Sequence, residues 1–265
     1  MLDVTNLTQA GALSWCLQLL SLSLLIQSVE LMCLRRFFAP RGIWRWKTLE
    51  PEVQAFPRPV SLLLTPLLGH SGFLALQAGR ALAAIALSAL TLGSADTPLL
   101  PVLLLFLLGA SVTTNIRFRG TFNGGSDFMT LIVLTALSAA SFSKSPRIAT
   151  GGLWYIAFHV CASYFVAGWI KLKRANWRSG RALQGFLATA IYDPSAVAAW
   201  LQRNRPSALI ASWAVMLWEV TFPLSLLDTR ACAAYMLPSP GIRERPRTCS
   251  SEPEPCPTTY TAPAC

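Results

Sequence analysis

Six apolar runs alternate with short polar stretches along this chain. They cover residues 11–33, 73–92, 99–115, 127–143, 152–172 and 207–227. Each is close to the ~20 residues that a helix needs to cross the hydrocarbon of a bilayer. A backbone in lipid has no water to bond, so a run of this kind satisfies its own N–H and C=O groups as a helix. The pattern predicts an all-α protein, a polytopic transmembrane helical bundle of about six spans. Residues 60–68 read as a re-entrant or interfacial helix, and residues 182–201 as an interfacial helix broken at Asp193 and Pro194. Pro51, Pro57 and Pro59 rule out one long helix in the connector 34–72, and Pro223 predicts a kink in the last span.

Composition agrees with a membrane class. The chain has 265 residues, 53% of them hydrophobic and only 13% charged, with a mean hydropathy of +0.47. A soluble domain carries about 25% charge. The net charge is +10, which raises the question of nucleic acid. The cations instead sit in the connectors, with Trp44 and Trp46 among them, as a membrane interface selects. No nucleic-acid partner is expected; the lipid bilayer is. Connectors one, three and five hold 6, 2 and 6 Lys or Arg, against 0 and 2 for connectors two and four. That bias puts both the N-terminus and the end of the sixth span outside. The first ten residues hold Asp3 and no cation, so the first run is expected to remain as a span rather than leave as a signal peptide. The seven cysteines form no CxxC pair, and no metal is expected.

The charges inside the runs carry the candidate chemistry. Arg80 lies inside the second run. It is either a functional charge or a side chain that snorkels to the headgroups. Glu30 lies near the end of the first run and reads as interfacial, the alternative being a carboxylate that faces the bundle. Glu219 lies inside the sixth run, and a Glu219–Arg80 or Glu219–Lys171 pair would lower the burial cost of both partners. Seven residues are nearly two helical turns, so Tyr164 and Lys171 share one face, with Gly168 close by to admit a neighbouring helix or a ligand. His159 points away from Lys171 and reads as a packed histidine. Asn123, Gly124 and Gly125 form a glycine-rich turn whose N–H groups could line an anion or carbonyl site. Asp127 reads as the N-cap of the fourth span.

Residues 164–183 read YFVAGWIKLKRANWRSGRAL. This stretch resembles the signature of the horizontally transferred transmembrane domain family, whose best-known members are the vitamin K-dependent γ-carboxylases. The resemblance rests on Tyr164, Phe165, Ala167, Gly168, Lys171, Leu172, Trp177 and Gly180. The NGGSD of residues 123–127 and the Trp-Glu segment of residues 218–223 are similar to further family segments. It covers roughly residues 10–227. It implies that Lys171 is a base toward a quinone-type cofactor, a quinone or vitamin K hydroquinone. Tyr164, Gly168, Arg80, Glu219, Asn123, Gly124, Gly125 and Asp127 are then candidate pocket residues. The implied activity is that of a γ-glutamyl carboxylase-like lyase or a quinol-dependent membrane enzyme; the alternative is a non-catalytic scaffold or transport module. Two features differ from the carboxylase pattern. No histidine lies near the NGG turn, and the basic-residue bias puts Lys171 on the inner side.

From about residue 229 the chain is rich in Pro, Ser, Thr and Cys and has no apolar periodicity. The expected organisation is a membrane domain over residues 1–228 and a tail over 229–265. The tail reads either as disordered or as the product of a frame change near Asp228.

Overall fold

The computed structural model describes residues 4–93, 97–120, 125–188 and 196–227. The tail, the Asp193-Pro194 break, Asn123 and Gly124 lie outside the described residues. The described residues hold helices and no strand. Six helices are long and apolar enough to cross a membrane: Gly11–Cys33, His70–Leu92, Leu99–Arg117, Gly125–Ser143, Pro146–Lys173 and Arg205–Leu226. The architecture is thus the all-α, multi-span bundle that the apolar runs predict. The chain divides into two compact units, Met1–Ser163 and Tyr164–Cys265.

The first unit contains α1 (Val4–Cys33), α2 (Arg35–Phe38), α3 (Trp46–Gln54), α4 (Arg58–Leu68), α5 (His70–Gly93), α6 (Leu99–Arg117), α7 (Gly125–Ser143) and the start of α8 (Pro146–Lys173). Its core joins Leu17, Leu20 and Leu24 of α1 to Ala83, Ala84 and Leu87 of α5, Leu104 and Leu107 of α6, and Leu134 and Leu137 of α7. The three- and four-residue spacings put each set on one helix face. Lipid is as apolar as leucine, so close packing rather than escape from water holds these helices together. Small residues such as Ala83 and Ala84 allow that close approach.

The helices outrun the apolar runs at several ends. α1 begins at Val4 and α8 at Pro146, because helical hydrogen bonding does not stop where hydropathy falls. The segment 60–68 is the interior of α4, a helix of 11 residues. Its Leu64 and Leu68 pack against Leu49 and Val53 of α3. At 1.5 Å per residue α4 is roughly 16 Å long, too short to cross.

Arg117 ties the first connector to the bundle. It is buried, its Nη2 donates to the Trp44 carbonyl, and its guanidinium lies 5.7 and 5.8 Å from the rings of Phe38 and Phe73. Those rings belong to an aromatic cluster with Trp44 and Phe118. Arg117→Ala leaves the Trp44 carbonyl without its charged donor. We expect it to cost about 2 kcal/mol in reversible detergent unfolding, the size of a hydrogen bond to a charged group.

The second unit contains the end of α8, then α9 (Ala175–Arg178), α10 (Arg181–Leu187), α11 (Ala196–Arg203) and α12 (Arg205–Thr221). α12 tightens into a 3₁₀ turn over Phe222–Leu226, with Pro223 in its first turn. The expected kink is therefore a change of helix type, and Phe222 is the point of change. Asn204 caps α12, its side chain accepting from the Ser207 N–H at 3.4 Å.

Candidate functional site

The end of α8 and the turn after it run antiparallel to α12. Tyr164 meets Phe222, Lys171 meets Glu219, and Trp177 meets Ser212. At the far end Gly180 meets Ala208 and Leu209. Each step toward the C-terminus of one arm of this hairpin is a step toward the N-terminus of the other.

Glycine makes the contact possible at two places. A Cβ at Gly168 would lie 2.7 Å from both the Glu219 Cβ and the Val220 nitrogen. The space beside Gly168 is thus filled by α12 rather than left open for a ligand. Gly180 has φ 76°, a left-handed backbone, and a Cβ there would lie 2.9 Å from the backbone of Leu209. Both conformation and space call for glycine. The turn between these glycines accepts twice from α12. The Trp177 carbonyl accepts from Ser212 Oγ at 2.6 Å, and the Arg178 carbonyl from Trp213 Nε1 at 3.2 Å.

The Lys171 ammonium forms an ion pair with Glu219 Oε1. Of the two pairings open to Glu219 in the sequence, this is the one formed. Glu219 is only 8% exposed, and its Oε2 is buried without a hydrogen-bond partner among the described residues. Lys171 also lies 5.0 Å from the centre of the Trp177 ring, a cation–π contact. Lys171 is two residues from the end of α8, where an interfacial anchor belongs. Its partner is about fourteen residues, roughly 21 Å of helix, beyond Arg205 in the span Arg205–Leu226. Glu219 thus lies inside its span, seven residues from the Leu226 end, while Lys171 lies at the end of its own. Lys173, in contrast, is exposed and lies 5.0 Å from the Trp169 ring.

Beside the pair stand three aromatic rings. Tyr164 stacks on Phe222 with centroids 4.3 Å apart, and Trp218 meets both edge-on at 5.3 and 5.6 Å. The half-exposed Tyr164 is one turn from Gly168 and two from Lys171, as the spacing predicts. The pair, with the Lys171 side chain 24% and the Glu219 side chain 11% exposed, is thus a mostly buried acid–base couple beside aromatic rings.

Arg80, Gly125 and Asp127 belong to the first unit. Arg80 is 2% exposed, so it does not snorkel. Its Nη2 donates to Gln27 Oε1 at 2.7 Å and its Nη1 to Gln77 Oε1 at 3.4 Å. Gln77 passes the chain on, donating to Thr114 Oγ1 at 2.9 Å. Neutral amides thus hold the guanidinium directly. Asp127 is buried and interacts with Arg80 electrostatically. It is not the N-cap of α7: the helix starts at Gly125, which puts Asp127 in the first turn, where a carboxylate favours the positive end of the helix dipole. Gly125 opens α7, and a Cβ added there would meet nothing within 4 Å. Just before the stretch that holds Asn123 and Gly124, Arg119 (φ 57°) and Gly120 (φ 141°) have positive φ.

His159 is a packed histidine, as expected. Its Nδ1 donates to the Tyr155 carbonyl at 3.1 Å and its ring touches Tyr155 and Phe158. No family model matches this chain, and no curated protein or solved structure matches it either. The site is therefore argued from its own geometry. That geometry adds Phe222, Ser212 and Gln27 to the candidate residues and gives Trp218 of the Trp-Glu segment a place beside them. Gln27 had a visible signal as a polar break in an apolar run; Ser212 had none.

Proposed function

We propose that this chain is a multi-pass membrane protein of the horizontally transferred transmembrane domain type, and that Lys171 and Glu219 exchange a proton with a quinol dissolved in the bilayer. The observation that carries the reading is the Lys171–Glu219 pair, mostly buried and with one carboxylate oxygen left without a hydrogen-bond partner among the described residues. The half-exposed ring of Tyr164, backed by Phe222 and Trp218, offers flat apolar surface suited to a quinone ring.

Lys171 in the ion pair is already protonated and cannot act as a base. Moving its proton onto Glu219 gives a neutral amine beside a neutral acid and removes two opposite charges from apolar surroundings. The amine then accepts a proton from a quinol hydroxyl. The pair ends with one net positive charge beside a quinolate anion. Glu219 is thus the store for the proton that Lys171 must lose. The basic-residue bias, which places Lys171 on the inner side, favours quinol chemistry over carboxylation of a lumenal protein.

One observation favours a second reading. Gly168, Gly180, Trp177 and Lys171 all contact α12 or its ion pair, so the same motif serves as a clasp between helices without chemistry. The two readings differ in bound quinone. Wild-type protein and the near-isosteric Lys171→Gln/Glu219→Gln double variant are purified in lipid nanodiscs with menaquinone, and retained quinone is measured by extraction and chromatography. Proton exchange predicts that the wild type holds quinone and that the double variant, still folded, loses most of it. Equal retention leaves only the clasp.

A further inference from the structure

The first unit contains a small cavity that the Lys171 chemistry does not use. Its volume is about 20 Å³, and its walls come from α1, α5, α6 and α7. Gln27, Arg80, Ser111, Asn115, Asp127 and Thr130 supply most of its lining. An apolar cavity in a bundle stays dry, but one this polar does not. A single water needs roughly 10–15 Å³ and two to four polar partners.

The hydrogen bonds already made define the missing molecule. Arg80 uses Nη1 and Nη2 on Gln77 and Gln27. Its Nε is buried and has no partner among the described residues. That N–H needs an acceptor, and an unmet buried donor costs more than the bond itself is worth. The hydroxyls of Ser111 and Thr130 spend their own hydrogens on the carbonyls of Leu107 and Ser126, at 2.7 and 2.9 Å. Their oxygens remain as acceptors and call for a donor. The guest must therefore accept from an N–H and donate to oxygens at once.

Charge narrows it further. Arg80 and Asp127 already oppose one another, so a charged guest would leave one charge uncompensated in a low-dielectric bundle. The guest is neutral, of water size, and both donor and acceptor.

We propose that this cavity is a built water site within the membrane-spanning helices, in which one water accepts from Arg80 Nε–H and donates to Ser111 and Thr130. Asp127 lies two residues from the start of α7 and Arg80 ten residues into its span. The water would thus sit beside a guanidinium about 15 Å along α5 from that helix's first residue. It is independent of the quinol reading, since it involves none of the residues of the second unit.

Water-edited solid-state NMR tests it on the full chain in lipid bilayers. The protein is labelled uniformly with ¹³C and ¹⁵N, and the Arg80 Nε signal is identified by its loss in Arg80→Lys. The expected result is transfer from water to Arg80 Nε clearly faster than to the buried core amides, though slower than to an exposed arginine such as Arg41. Transfer as slow as to the amides of Leu24 and Leu87 in the apolar core overturns the proposal. Thr130→Val keeps the shape and removes one acceptor, so transfer should fall by about twofold or more. Should Arg80→Lys fail to fold, the Arg80 signal is identified by its distance-based correlation to Gln27, and the same comparison decides. An unchanged Arg80 transfer in Thr130→Val also overturns the assignment.

Discussion

Lys171→Met should lower the stability of the second unit by about 3 kcal/mol, the low end of the cost of stranding one member of a buried ion pair. Glu219 is almost wholly buried, and Lys171 is its ion-pair partner. Without the ammonium, the carboxylate must stay charged in apolar surroundings or take up a proton. Adding Glu219→Leu to Lys171→Met removes the stranded charge. The double variant should recover most of the loss, because an apolar pair of similar volume is often as stable as the ion pair it replaces. Reversible unfolding in mixed micelles, run as a double-mutant cycle, measures both numbers. If the single variant costs less than about 1 kcal/mol, the pair behaves like a solvated surface bridge, and the desolvated site that supports proton exchange does not exist.

Gly180→Val should be comparably damaging for a different reason. Valine at φ 76° meets the steric penalty of the left-handed region, on the order of 1–3 kcal/mol. Its Cβ would also press on the Leu209 backbone, which cannot swing aside as a side chain can. Forcing helices apart adds roughly 1–3 kcal/mol. Gly185 is the internal control. It sits in α10 with nothing within 4 Å of its Cβ position, so Gly185→Ala should be neutral or raise stability by up to about 1 kcal/mol. The same unfolding assay reads both. A neutral Gly180→Val would mean that the turn after α8 does not hold α12.

Much of this arrangement is legible in the chain itself. Apolar runs report spans because a backbone in lipid has no other way to satisfy itself. The shared face of Tyr164, Gly168 and Lys171 follows from helical spacing. What joins α8 to α12 is less visible. Glu219 offers itself to Arg80 and Lys171 alike in the sequence, and only packing selects Lys171. Gln27 and Gln77 look like blemishes in apolar runs until Arg80 is placed between them. Asp127 reads as a cap because it follows a glycine-rich turn, yet the helix begins two residues earlier. Residue spacing carries local periodicity; it does not carry which side chains meet across distant parts of the chain.

The ion pair also has a history in time. Its members are 48 residues apart in sequence, and the lysine comes first. At roughly 5–20 residues per second of synthesis, Lys171 leaves the ribosome about 2–10 seconds before its counter-charge. During that interval the α8 terminus carries an uncompensated ammonium, best kept at the headgroups. The arrival of α12 brings the carboxylate that draws it inward. Insertion of α12 and pairing of the lysine then belong to one step in the biogenesis of the protein.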